Sequence, residues 1–158
     1  MFNHVQLNLP DKLTRETIDG KRYYTVPGYE GTKLVSVTTV TSFQSAKSIA
    51  AWRKRVGEEA ANRKTRRATK RGTSMHTLTE YYLKNEELPK VEPLPEFLFK
   101  FAKPELDKID NIHALETPLY SFKLGIAGTV DCIAEYTGEL ALIDFKTSEK
   151  PKPEEWIE

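Results

Sequence analysis

The stretch GTVDCIAEYTGELALIDFKTS, residues 128–148, limits the fold more than any other part of this 158-residue chain. Apolar and β-branched residues run up to Thr137-Gly138 and resume after it, as in two strands closed by a tight turn. With the turn there, Tyr136 faces Glu139, and the numbers of paired residues sum to 275. That register sets Asp131 opposite Asp144, with their Cβ atoms about 4.5–5.5 Å apart. A four-residue loop from Tyr136 to Glu139 keeps the register, whereas a three-residue loop slips it by one and separates the pair. Lys146 shares the face of Asp144, because strand side chains alternate with period two.

Two carboxylates this close repel at a cost of about 1 kcal/mol unless something neutralises them. A divalent cation does so, and Mg²⁺ takes one or two carboxylates together with waters and substrate phosphates. Lys146 can neutralise part of the charge or hold a nucleophilic water. Metal-assisted phosphodiester hydrolysis uses these parts: a Lewis acid, an activated water and a cation near the developing charge. The competing reading of Asp-x-Lys is a solvated sheet edge, where charge guards against aggregation.

Upstream, residues 5–9 and 22–26 read as short strands, with Asp19-Gly20 as a turn between them. Residues 34–40 (LVSVTTV) suit a strand or the entry to a helix. The segment from Ser45 is helical by composition, with Ile49, Trp52 and Val56 as an apolar stripe and Gly57 dividing two helices. A further helix covers about 69–84, with Gly72 letting it approach the sheet. Residues 85–95 form a Pro-rich connector, and Pro104 kinks or restarts a helix begun at 96. Strand-like segments follow at 113–122, 128–136 and 139–147. The expected architecture is α/β, a central mixed sheet flanked by helices. It forms one domain over 1–158: β elements in 1–44, a helical wall in 45–110 and a β meander in 111–158.

Charge is uneven. Trp52 to Arg71 carries nine Lys or Arg and two Glu, a local +7, while the whole chain is only +1. Such a segment suggests a local anion site, though a solvated helix face has the same composition. Arg63, Arg66, Arg67, Lys70 and Arg71 are its candidate phosphate contacts. Trp52, Tyr81 and Tyr82 could stack on bases, with core packing the alternative for Trp52. A single cysteine, Cys132, excludes an intrachain disulfide and a four-cysteine metal site and fits a reducing, cytoplasmic setting. Apolar runs are too short to span a bilayer, and the first residues have no signal-peptide pattern.

GTVDCIAEYTGELALIDFKTSEKPKP resembles the PD-(D/E)XK nuclease superfamily in its RecB-like branch. Within it, the residues look like those of the mitochondrial genome maintenance exonuclease and phage exonucleases of that type. Upstream, RGTSMH (71–76) looks like the helical motif that carries a histidine, and ALETPLY (114–120) like the strand with a glutamate. The resemblance covers about 34–153 and implies a restriction-endonuclease-like core. It makes Asp131 and Asp144 metal carboxylates for Mg²⁺ or Mn²⁺, with the Phe145 carbonyl a further ligand. Lys146 would position the attacking water, His76 would bind metal or phosphate, and Glu116 would contact metal or its water. Thr147 and Ser148 join the basic residues as DNA contacts. The implied activity is a DNA exonuclease acting on single-stranded ends in replication, recombination or host-DNA turnover, cytoplasmic in a host cell if phage-encoded. The branch continues with a helix bearing Gln-x-x-x-Tyr, and this chain stops where that helix would begin. A C-terminal segment or a second chain is therefore expected to complete the sheet. The alternatives are a nucleic-acid-binding module with the same core and no turnover, and a structural subunit docking a partner through its open sheet edge.

Overall fold

A computed structural model describes residues 1–7 and 12–148. The long hairpin organises it. Strand β4 (Ile109–Ser121) and strand β5 (Ile126–Tyr136) run antiparallel from Ser121↔Ile126 to Ile109↔Tyr136. Strand β6 (Glu139–Ile143) returns along the other edge of β5, with Tyr136↔Glu139 and Cys132↔Ile143 as its end pairs. This is the register expected from the sequence, and its turn uses positive φ at Thr137 and Gly138. The ladder ends at Ile143, so Asp144 to Thr147 lie past the strand, not within it as the 139–147 expectation has them.

The amino-terminal part adds β1 (Thr14–Ile18), β2 (Lys21–Thr25) and β3 (Lys33–Ser36) as an antiparallel meander. Asp19-Gly20 does turn a hairpin, but the partner of β2 is Thr14–Ile18. Of the expected 5–9 strand, residues 5–7 are not in a strand, and 8–9 lie outside the described residues. The TRETI segment has no apolar alternation, which is why it does not read as a strand; it is an exposed edge rich in Thr. Strand β3 joins β5 in parallel at Val35↔Ile126. The six strands among the described residues form one open mixed sheet.

Val37 starts α1 (Val37–Val56) directly from β3, so residues 34–40 are both strand end and helix entry, and helix begins well before residue 45. No residue of α1 is buried, and Ile49 is 48% exposed, so the expected stripe does not face a core among the described residues. Gly57, with φ 84° and ψ 148°, separates α1 from α2 (Glu58–Leu83). That backbone region is essentially restricted to glycine. Helix α2 is a single 26-residue unit, longer than the expected 69–84. Helix α3 (Pro93–Leu106) opens on Pro93 and Pro95 in its first turn, where a missing N–H costs nothing, and carries Pro104 within its last turn.

The main core lies between α2, α3 and the long hairpin: Met75, Leu78 and Leu83, then Phe99 and Leu106, against Ile109, Ile112, Cys132 and Ala134. Burying a side chain such as Leu78 contributes about 1.5–3 kcal/mol. A smaller cluster of Tyr24, Val26, Leu34 and Ala127 ties the amino-terminal meander to β5. Asn3 and Val5 exchange backbone bonds of 2.8 Å with Ile112, and His4 Nε2–H donates to the Leu83 carbonyl at 2.8 Å. The α2 side chains in the main core, Met75, Leu78 and Leu83, lie in its C-terminal half, while Ala61 is buried near its start. Residues 62–70 are all exposed.

Candidate metal centre and its surroundings

Three elements converge at one point. Helix α2 brings His76, β4 brings Glu116 and β5 brings Asp131. One ligand atom from each lies within 4.8 Å of the others. His76 Nδ1 is 3.6 Å from Glu116 Oε1 and 3.7 Å from Asp131 Oδ2. Glu116 lies between the pairs Leu115↔Cys132 and Thr117↔Val130, which sets it opposite Asp131. It has φ 48°, unusual for a residue inside a strand. Such a conformation costs on the order of 1–3 kcal/mol and persists where surrounding structure enforces it.

The electrostatics are those of crowded acids. The Glu116 carboxyl is pushed above its ordinary range, first by burial and then by the charges of Asp131 and Glu80, with His76 opposing both. The buried Cys132 thiol rises to about 11, again through burial and then the Asp131 charge, so it stays protonated and packs as a small hydrophobe. Removing two carboxylates from water beside each other is unfavourable without a cation. One imidazole and two carboxylates suit Mg²⁺ or, with the nitrogen ligand, Mn²⁺.

The other sequence-derived site residues take distinct places. Asp144 stands outside the three-residue group. Its Oδ1 accepts from Lys146 Nζ at 2.6 Å, and both side chains are at least half exposed. The register sum that pairs Asp131 with Asp144 therefore holds up to Cys132↔Ile143 and stops one pair short. At that step the Phe145 N–H donates to Asp131 Oδ2 at 2.8 Å instead. This amide fixes the carboxylate, a role invisible in a sequence because every residue but proline has one. The Phe145 ring meets His76 edge-on, centroids 6.4 Å apart. Thr147 Oγ1 lies 3.8 Å from where a Gly72 Cβ would stand, an ordinary contact, so close approach does not require glycine at 72. Ser148 is exposed at the end of the described carboxyl-terminal residues.

Arg63, Arg66 and Arg67 are exposed on α2 and line a groove with Glu59 and Asn62. Lys70 pairs with Glu92, and Arg71 is half-buried. Nine helical steps, a rise of about 14 Å, separate Arg67 from His76. Glu80 has no role assigned from sequence. Its signal is the i, i+4 spacing from His76, which puts both on one helix face, and it is ion-paired to Lys84.

No family model matches the chain. Over 111 residues, 65% of its length, it is 34% identical to mitochondrial genome maintenance exonuclease 1 of Homo sapiens. The Mus musculus protein of that name is 50% identical over 48 residues, 30% of this chain, and the Xenopus tropicalis protein 48% over 48. The chain spans about a third (32%) of the human protein and 14% of the other two. A relationship to proteins named as exonucleases is thus shown over part of the chain. No helix among the described residues is long and apolar enough to cross a membrane.

Proposed function

We propose that this chain is the nuclease domain of a metal-dependent DNA exonuclease of the RecB-like PD-(D/E)XK type, hydrolysing phosphodiester bonds at single-stranded DNA ends. The observation that carries the reading is the convergence of His76, Glu116 and Asp131 within 4.8 Å. The partial similarity to exonucleases supports it. His76, Glu116 and Asp131 would hold Mg²⁺ or Mn²⁺, with Asp144 and the Phe145 carbonyl reached from the segment just past β6. Such an ion polarises the phosphate and lowers the pKa of a water. Around it, the Phe145 amide holds Asp131 in place. The Lys146 ammonium would supply a positive charge and hydrogen-bond donors beside Asp144. Arg63, Arg66, Arg67, Lys70, Arg71, Thr147 and Ser148 would contact the DNA backbone. In this reading the setting is cytoplasmic.

Cleavage of end-labelled single-stranded DNA with Mn²⁺, Mg²⁺ or EDTA tests this. Metal-dependent cleavage, lost in Asp131→Ala and Asp144→Ala, is expected. Cleavage that survives EDTA or both substitutions would overturn it. A second reading, nucleic-acid binding without turnover, is favoured by one observation: Asp144 is engaged by Lys146 and lies outside the cluster. Salt-sensitive DNA binding with no cleavage in either metal would select that reading.

A further inference from the structure

Asp131 belongs to a second feature. Strand β4 occupies one edge of β5 throughout, so β3 and β6 share the other edge. There β3 pairs at Ile126 and Ala127, and β6 pairs from Cys132 onward. Residues 128–131 have no strand partner on that edge among the described residues. A cavity of about 330 Å³ fills this gap, lined by Val37, Tyr120, Gly128, Asp131, Leu142 and Asp144 among others. Its volume falls in the small-molecule range of roughly 300–1,000 Å³. Its walls are mostly apolar, with Ser121, Thr129 and the two aspartates as their polar side chains. Tyr120 continues outward into a run of exposed rings, Tyr120–Phe122 at 5.3 Å and Phe122–Tyr29 at 4.8 Å between centroids. These rings are 38%, 42% and 57% exposed for Tyr120, Phe122 and Tyr29.

We propose that this cavity is a nucleobase subsite. It takes the base of an unpaired nucleotide whose phosphate lies at His76, Glu116 and Asp131, and Tyr120, Phe122 and Tyr29 extend it as a stacking surface for adjacent bases. The placement of the phosphate rests on the nuclease reading above; the base-binding surface does not. The occupant follows from the chemistry of the two ends. A flat, largely apolar body suits the walls. An anionic group beside it suits only a pair of carboxylates bridged by a cation, and Asp131 is common to the cavity and the cluster. A base in this gap cannot be paired, so the substrate class is single-stranded or frayed DNA. Because every base has a π-face, the subsite reads no sequence.

The test is equilibrium binding of a fluorescent single-stranded oligonucleotide and of the same backbone with abasic sites, in Ca²⁺. Removing the bases is expected to weaken binding roughly 5- to 100-fold in the unmodified chain. Tyr120→Ala should weaken binding to the normal strand, about tenfold, and hardly affect the abasic one. Tyr120→Phe should restore it. Equal affinity for both strands, or an equal drop on both in Tyr120→Ala, overturns the subsite. Absence of strand binding does so too. Sedimentation without DNA is the second arm: a dimer dispersed by Leu142→Arg would show that another copy covers the face, and overturns the proposal. Metal-dependent cleavage is scored separately. Cleavage without base dependence removes the subsite and leaves the nuclease reading, and base dependence without cleavage does the reverse.

Discussion

At the scale of single residues, Lys146 and Asp144 carry the sharpest question. Their contact is exposed on both sides, and such a pair is worth about 0–1 kcal/mol. Lys146→Ala should therefore leave thermal stability nearly unchanged. If Lys146 supplies charge at the reacting phosphate, the same substitution should lower kcat by about 10²-fold or more. Metal affinity, measured by titration calorimetry, should stay within a few-fold, because Lys146 carries no ligand atom for a cation. Retained cleavage would remove Lys146 from the chemistry. A parallel fall in metal binding would mean that it acts by placing Asp144.

Among the elements, α2 has two halves with different work. Its C-terminal half packs Met75, Leu78 and Leu83 into the core and fixes His76. Its first half has mostly exposed residues, including Arg63, Arg66 and Arg67. Replacing these three with Ala should weaken single-strand binding. The slope of log affinity against log salt should flatten by about 0.7 for each phosphate that is no longer neutralised. An unchanged slope would take this half of α2 off the DNA path. The break before α2 is equally testable. Gly57→Ala should cost about 1–3 kcal/mol in urea unfolding, since φ 84° with ψ 148° suits glycine alone. A neutral result would mean that α1 and α2 can rearrange at no cost, as α1's lack of buried residues among those described permits. Hairpin register was legible in the sequence because side-chain period and turn chemistry agree at Thr137-Gly138. The exposure of α1 was not, because an apolar stripe gives a face but not a partner. Strand β1 was illegible for the opposite reason: its pairing rests on backbone bonds with β2, and its side chains are mostly exposed.

Over the whole molecule, the fold concentrates cost at one place. Glu116 in a left-handed conformation, its raised carboxyl and the adjacent Asp131 all disfavour the folded state without a cation. His76 comes from α2, well upstream of the hairpin whose two strands bring Glu116 and Asp131. Sequence motifs could name them but could not show that Glu116 sits nearer His76 than Asp144 does. The site should therefore link metal binding to folding. Adding Mn²⁺ at 100 times its Kd should raise unfolding free energy by about 2.7 kcal/mol, read as an increase in Tm. His76→Ala should lose most of that increase. Glu116→Gln separates the two halves of the argument, because it removes a like charge and a ligand together. In EDTA its Tm should rise by roughly 1–3 °C, a small gain because the carboxylate is only partly buried. In Mn²⁺ its Tm should gain less than the unmodified chain does. If Glu116→Gln lowered Tm in EDTA, the carboxylate would be stabilising the metal-free fold through His76, and the cluster would be an ion pair rather than a cation site.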